Sequence, residues 1–260
     1  MINIFVCIKQ VPATNKVQID EKTGVLKRTG VASKMNPYDL YALETALRLR
    51  DKYGGKVTVG TMGPPQAQAV IREAYLMGAD EGYVFSDRKF GGADVLATGY
   101  TLSQAIRSIE EFDIILCGKQ TTDGDTAQVG PSVAENLGIP HVAWVTELTI
   151  EGDGINAKQK LQDVIETIHI PMPCLITVEQ DINMPRLPSL KRARETATKE
   201  IHILGIQDFT DQDETHYGLA GSPTQVERIF PPDNKAEHEV WDDKEITDRL
   251  YEQLKKWKFV

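Results

Sequence analysis

The sequence predicts a doubly wound α/β fold over roughly its first 140 residues. Three observations predict it. Short, nearly unbroken apolar runs read as strands buried on both faces. Apolar residues at helical spacing lie between those runs. Capping and stop residues punctuate each switch. Strands alternating with helices, with the strands buried on both sides, imply a parallel sheet covered by two helical layers.

Taken in order, residues 2–8 form the first buried strand. Residues 17–27 hold Asp20-Glu21-Lys22-Thr23-Gly24 between short alternating pieces, which predicts a hairpin. Asn36-Pro37-Tyr38-Asp39 precedes Leu40, Leu43, Ala46 and Leu47 at helical spacing. Asn is a good cap and Pro suits a first turn, so a helix is expected to begin there with Asn36 capping it. Residues 56–62 read as a strand, and 66–77 as a helix with Val70, Ile71, Ala74 and Met77 on one face and Gly78 as its stop. Residues 82–85 form a strand, and Asp94 should cap a helix that buries Leu102, Ile106 and Ile109. Residues 113–118 form another strand, followed by a loop rich in Thr, Asp and Gly and a helix over 131–137 closed by Gly138.

The pattern then changes. Residues 145–150, 157–161 and 164–170 alternate in short pieces, an antiparallel excursion over about 145–170. Gly152-Asp153-Gly154-Ile155-Asn156-Ala157 matches a dinucleotide fingerprint formally, but no helix follows it, and it reads as a hairpin turn. Residues 174–178 give one more apolar strand. Residues 184–199 carry Pro and then a basic run, and 207–245 are polar, more like an arm than a core. Ile246, Leu250, Leu254 and Trp257 close the chain as an amphipathic helix, which must lie on its own domain or a partner.

Composition narrows the function. The 260 residues carry 38 acids against 29 lysines and arginines, a net charge of −9, which makes nucleic acid a poor partner. No apolar run approaches the ~18–20 residues of a membrane span, and MINIFVCIKQVP has no basic leader or cleavage site, so a cytoplasmic protein is expected. Cys7, Cys117 and Cys174 lie far apart with no CxxC, and the five histidines (His141, His169, His202, His216, His238) are scattered, so no metal site, disulfide framework or catalytic triad is expected. Cys7 and Cys117 read as small buried hydrophobes.

One stretch points to a ligand. Lys119, Gln120, Thr121, Thr122, Asp123, Gly124, Asp125, Thr126, Ala127, Gln128, Val129 and Gly130 leave the carboxyl end of a buried strand and enter a helix, where parallel sheets bind ligands. Hydroxyls and free helix N–H groups suit phosphate oxygens. Asp123 and Asp125 would repel phosphate and should instead cap the helix or accept bonds from ribose hydroxyls. Spacing alone leaves an ordinary polar loop open. The ends of the first and second strands, at Cys7-Ile8-Lys9-Gln10 and Thr61-Met62-Gly63-Pro64, and the helix start at Asn36–Asp39 should meet the same crevice. That convergence favours a nucleotide pocket.

At these residues the sequence resembles the beta subunit of electron-transfer flavoproteins. The matching pieces are Val6-Cys7-Ile8-Lys9-Gln10-Val11, Met35-Asn36-Pro37-Tyr38-Asp39 with Glu44, Met77-Gly78-Ala79-Asp80, Gly118-Lys119-Gln120 with its loop, and Asn183-Met184-Pro185-Arg186, in the family's order over about residues 1–205. The resemblance implies a Rossmann-like three-layer domain of the adenine-nucleotide-binding type over 1–205, and a C-terminal arm and helix over 206–260. It implies an alpha-subunit partner carrying FAD. Ordinary members hold AMP in the beta subunit and pass electrons from acyl-CoA dehydrogenases. Electron-bifurcating members of anaerobes hold a second FAD there, with NADH as donor. The run from Thr122 to Pro131 is similar to the bifurcating pattern, as is the tail Gly221-Ser222-Pro223-Thr224-Gln225-Val226. The implied reaction sends one electron from NADH to ferredoxin or flavodoxin. The other goes through the alpha-subunit FAD to a flavoprotein dehydrogenase, acyl-CoA dehydrogenase-like or other.

Mapped onto this chain, nucleotide contacts fall on Cys7, Asn36, Pro37, Tyr38, Asp39, Met62 and residues 119–130. The family's docking loop, about 184–199, centres on Leu190 with Lys191, Arg192 and Arg194, and Lys191 stands where many members have Pro. Glu166 matches an acid near the flavin domain, or is an exposed strand-edge charge. The cofactor carries the redox chemistry, so no side chain is nominated as acid, base or nucleophile. The rivals are an AMP-binding structural subunit and an ATP-using α/β hydrolase or ligase. The latter is disfavoured because no Ser-Gly-Gly-x-Asp-type loop follows the first strand.

Overall fold

The computed structural model describes residues 1–13, 33–225, 239–242 and 245–260. In chain order the strands are β1 (Ile2–Cys7), β2 (Gln10–Pro12), β3 (Ser33–Met35), β4 (Gly55–Met62), β5 (Glu81–Phe85), β6 (Ile114–Gly118), β7 (His141–Glu151), β8 (Gly154–Lys160), β9 (Ile165–Pro171), β10 (Cys174–Val178) and β11 (His202–Leu204). The helices are α1 (Pro37–Tyr53), α2 (Gln68–Met77), α3 (Val95–Arg107), α4 (Val129–Leu137), α5 (Leu190–Glu195) and α6 (Ile246–Lys256).

Nine strands form one sheet in the order β11-β5-β4-β1-β6-β10-β7-β8-β9. From β11 to β7 every neighbouring pair is parallel. Alternate residues of each central strand feed two cores. Ile4, Val6, Val57, Val59, Ile114 and Leu116 face α1 and α2, packing on Leu43, Leu47, Val70 and Ile71. Phe5, Phe85, Ile115 and Leu175 join Leu102 and Ile106 of α3 and Val133 of α4. This is the three-layer α/β architecture predicted. Burying both faces of a strand demands the unbroken apolar runs that made the strands readable.

The antiparallel excursion is a continuation of the same sheet. β7 pairs with β10 in parallel at its start and with β8 antiparallel from Val145 on, and β8 pairs with β9. β7 therefore begins at His141, earlier than alternation suggested, because its first residues lie in the parallel part. Gly152 has φ +63° and sits opposite open space in the β7–β8 turn, which confirms the hairpin reading of that glycine pair.

β2 and β3 form a separate antiparallel pair. The hairpin expected over 17–27 lies outside the described residues. The stretch read as arm-like from residue 207 differs in its first part. Phe209 and Tyr217 are buried in the second core with Ile206, and Phe90 stacks on Phe209 with ring centroids 5.5 Å apart. Polar composition concealed these few large anchors. Asp94 caps α3 as predicted, accepting from Ala97 N at 3.1 Å, and also accepts from Thr224 N at 3.1 Å. Ile109 lies just past the end of α3, partly buried against the second core. In α6, Ile246, Leu250 and Tyr251 are exposed. Among the described residues no helix is long and apolar enough to cross a membrane.

Candidate functional site

Strand order reverses at β1: the chain steps from β1 to β4 and β5 on one side, then returns to place β6 on the other. Such a switch point opens a crevice at the carboxyl ends of the two strands that flank it. Cys7 and Gly118 end those strands, and the segments that follow them, Lys9–Gln10 and 119–128, form the crevice walls with the start of α1.

Asn36 and Asp39 join these walls. Lys9 N donates to Asp39 Oδ2 at 2.8 Å, Asn36 N donates to Lys9 O at 2.9 Å, and Asn36 Nδ2 donates to Asp39 Oδ1 at 2.9 Å and Gln120 O at 2.9 Å. Thr122 N donates back to Asn36 Oδ1 at 3.3 Å. Asn36 was expected to cap α1 with its side chain. It precedes the helix but makes no capping bond, because its amide is spent across the crevice. Pro37 occupies the first turn as predicted. Gly118 is required here, since a Cβ would come within 2.5 Å of Asp39 Oδ1 and 2.6 Å of the Tyr38 carbonyl carbon. Asp39 is buried, and desolvation pushes its carboxyl up to about 7 against hydrogen bonds from Asn36, Lys9 and Gly118.

The loop arranges its own charges. Lys9 Nζ meets Asp123 Oδ1 and Oδ2, each at 2.8 Å. Burial opposes ionisation of Asp123, but the Lys9 ammonium holds its carboxyl below the usual range. Gln120 Nε2 donates to Asp125 Oδ1 at 2.5 Å, and Gly124 N to Thr121 Oγ1 at 3.3 Å. Asp125 and Ala127 take left-handed φ values of +52° and +56°, a conformation that costs non-glycine residues energy and often marks a functional loop. The expectation that Asp123 or Asp125 caps the next helix fails. α4 starts at Val129, earlier than expected, and its N-cap is Gln128 without a side-chain bond. Its first N–H groups, on Val129 and Gly130, have no intrahelical acceptor. The loop before it carries Thr121, Thr122 and Thr126, and Lys9 reaches it through Asp123. That donor set suits phosphate.

Cys7 and Cys117 lie side by side in β1 and β6. Their hydrogen bond and burial push the Cys117 thiol well above its ordinary value, so it is no nucleophile. Met62 ends β4 next to β1 and packs against the second core. Three residues escaped the sequence reading as site members. Lys9 belongs to the strand-end segment expected at the crevice but not to the expected nucleotide contacts, because an exposed lysine after a strand carries no local mark of its partner. Glu179 accepts from Lys119 Nζ at 2.7 Å. Trp144 lies under Lys119 Nζ, with its ring centroid 5.4 Å away, and has φ +57°. Nothing in the local sequence marks Trp144, because its place depends on β7 pairing with β10.

The residues assigned to docking lie apart from the crevice. Leu190 opens α5 and is 88% exposed. With Lys191, Arg194 and Glu195 it lines one surface depression, while the Arg192 guanidinium rests against Gly78. Residues 184–199 thus form a short helix rather than a loop at their centre. Glu166 is exposed on the edge strand β9, opposite Gln159, four strands away from β6. Among the described residues no cluster of three His, Cys, Asp or Glu is arranged to hold a metal ion.

A family model, the electron transfer flavoprotein domain, matches residues 23–205. The electron transfer flavoprotein subunit beta of Thermoanaerobacterium thermosaccharolyticum is 46% identical, covering 97% of this chain and 98% of the relative. That of Megasphaera elsdenii is 43% identical with the same coverages, 97% and 98%. Subunit CarD of the caffeyl-CoA reductase–Etf complex of Acetobacterium woodii is 44% identical over 92% of this chain and 91% of its own length.

Proposed function

The chain belongs to the electron transfer flavoprotein family, as a beta subunit whose partner is an alpha subunit, and from that premise we propose that its switch-point crevice holds FAD. Bound there, the flavin would supply the hydride and electron chemistry, with NADH as donor. One electron would leave for ferredoxin or flavodoxin, and the other for the alpha-subunit FAD and a partner flavoprotein dehydrogenase. The nucleotide-binding unit runs to about residue 205, the remainder serving as an arm and terminal helix, and the complex works in the cytoplasm.

The observation that carries the reading is the loop from Lys119 to Gln128 at the carboxyl end of β6. It carries three threonines, leads into the N-terminus of α4, which has no side-chain cap, and is tied to Lys9 through Asp123. These residues would hold the phosphates. Asn36 and Asp39 fix the shape of the wall, since the Asn36 side chain joins helix start and loop while its main-chain N–H and the Asp39 carboxylate hold the strand end. The pattern from Thr122 to Pro131 supports the bifurcating branch, and the likeness to a subunit named for an Etf complex with a reductase is in keeping with it. Leu190, Lys191, Arg192 and Arg194 would meet the dehydrogenase, with Glu166 near the flavin domain of the partner subunit.

Acid extraction and chromatography of cofactors from the purified heterodimer test the proposal. Two FAD per heterodimer are expected. One FAD with one AMP would place the chain in the ordinary branch, with acyl-CoA dehydrogenases as electron source.

A further inference from the structure

We propose that Lys9 is the cation that takes the phosphate of the bound nucleotide, and that Asp123 competes with that phosphate for it. The inference rests on the nucleotide reading above and assigns two residues to opposite effects within it. A carboxylate with both oxygens 2.8 Å from one ammonium presents two anionic oxygens much as a phosphate does.

The two partners differ in how they are held. Lys9 is fixed at the end of β1 by its own main chain, through Asp39 and Asn36. Asp123 rides on the loop that contains the left-handed residues Asp125 and Ala127. Besides Lys9, its side chain bonds within that same loop, to Thr121 and the Gly124 main chain, and it caps nothing on α4. The pair is 43% and 32% exposed, so its net strength is small and it can be exchanged. The second lysine at the switch point is less available. Lys119 is paired to Glu179, whose side chain is only 16% exposed, and lies over Trp144.

A phosphate reaching Lys9 must therefore displace Asp123, and the displaced carboxylate then opposes the ligand's charge. Asp123 weakens every phosphate-bearing ligand and leaves a neutral nucleoside unaffected. Lys9 strengthens every phosphate-bearing ligand and likewise leaves a neutral nucleoside unaffected.

The test is calorimetric titration of the nucleotide-stripped heterodimer with adenosine, AMP and ADP, for the wild type, Asp123→Asn, Lys9→Met and the double variant. Thermal melts confirm that each is folded; the main-chain bonds of Lys9 do not depend on its side chain. Asp123→Asn should tighten AMP and ADP roughly two- to fivefold, the range set by a half-exposed ion pair, without changing adenosine. Lys9→Met should weaken AMP and ADP at least as much, again sparing adenosine. In the Lys9→Met background, the gain from Asp123→Asn should shrink. Weaker AMP binding in Asp123→Asn would make Asp123 a ligand contact and overturn the proposal. Unchanged AMP binding in Lys9→Met would overturn it equally. Wild-type protein that binds none of the three would remove the nucleotide reading itself, and this proposal with it.

Discussion

Glu44 holds Arg186 across 142 residues of chain, its Oε2 accepting from Arg186 Nε at 2.7 Å and from Arg186 N at 3.1 Å. Arg48 Nε adds a bond to Oε1 at 2.7 Å, and Asn183 Nδ2 reaches Tyr41 O and Thr45 Oγ1 at 3.0 and 2.8 Å. One face of α1 thus pins residues 183–186, the segment that leads into α5. Two pieces that carried the family resemblance, Glu44 and Asn183–Arg186, are one contact in the fold. Together they fix the segment that leads to Leu190 at the start of α5.

Glu44→Gln should cost about 1–3 kcal/mol of stability, since it removes the charge from hydrogen bonds to two arginines. Burial opposes ionisation of Glu44, but bonds from Arg186 and Arg48 hold its carboxyl below its ordinary 4.5. A lowered carboxyl contributes stability above the unfolded-state value and loses it as pH falls through the folded one. Urea unfolding should show a wild-type advantage at pH 7 that shrinks below about pH 4. A constant difference across that range would mean that packing, not charge, is what the substitution removes.

Asp39 works in the opposite direction. Its carboxyl moves from 3.8 to about 7 because it is buried. From pH 4 to 7 the unfolded chain gives up this proton while the folded protein keeps it, so stability falls as pH rises across that window. Above it the penalty is complete, on the order of 4 kcal/mol at most. Asp39→Asn removes the titration. Its stability relative to wild type should therefore improve steadily between pH 4 and 7 and level off above. Chemical denaturation at four pH values measures it, and parallel curves for the two proteins would refute the shift.

Much of this architecture was legible because buried parallel strands must be apolar on both faces, as at Ile4–Val6 and Ile114–Cys117. Helix boundaries marked by Asp94, Gly78 and Gly138 were equally plain. What stayed hidden depends on contacts distant in sequence. Lys9 and Asp123 are 114 residues apart, and neither residue type signals the other. Asn36 was read as a local cap, yet it bridges three segments that only the fold brings together. Phe209 and Tyr217 were lost in a polar stretch, because a few large side chains can anchor a segment that composition calls an arm.

Leu190 separates docking from folding. At 88% exposure it does not pack onto its own domain, so Leu190→Ala should change stability by less than about 0.5 kcal/mol. An apolar anchor ringed by charge is a common form of interface hot spot, and losing it typically costs ~1–2 kcal/mol or more of partner affinity. Turnover with the dehydrogenase should fall while bleaching of the flavin by NADH continues. Lys191 and Arg194 should set the encounter rate and its salt dependence. If bleaching and turnover decline together, or neither changes, the docking assignment is wrong.

Gly124→Glu probes the phosphate assignment of the loop without disturbing the fold. A Cβ at residue 124 would meet only Thr121 Oγ1, at 3.6 Å, an ordinary contact, and its φ is not left-handed, so neither space nor backbone opposes a side chain. The neighbouring positions are exposed, so the new carboxylate can remain in water when nothing is bound. Beside a pyrophosphate it adds like-charge repulsion on the order of 1–4 kcal/mol at about 4 Å, for effective dielectric constants between about 80 and 20. Flavin retention should drop roughly tenfold or more while the melting temperature of the flavin-free protein stays put. Raising the salt should recover part of the loss, because the loop is exposed and its charges are screened. The flavin-to-protein ratio after gel filtration, measured at low and high salt, reads both effects. A folded variant with full flavin content at low salt would remove the loop from the phosphate site, and with it the placement of the nucleotide at the β1–β6 switch point.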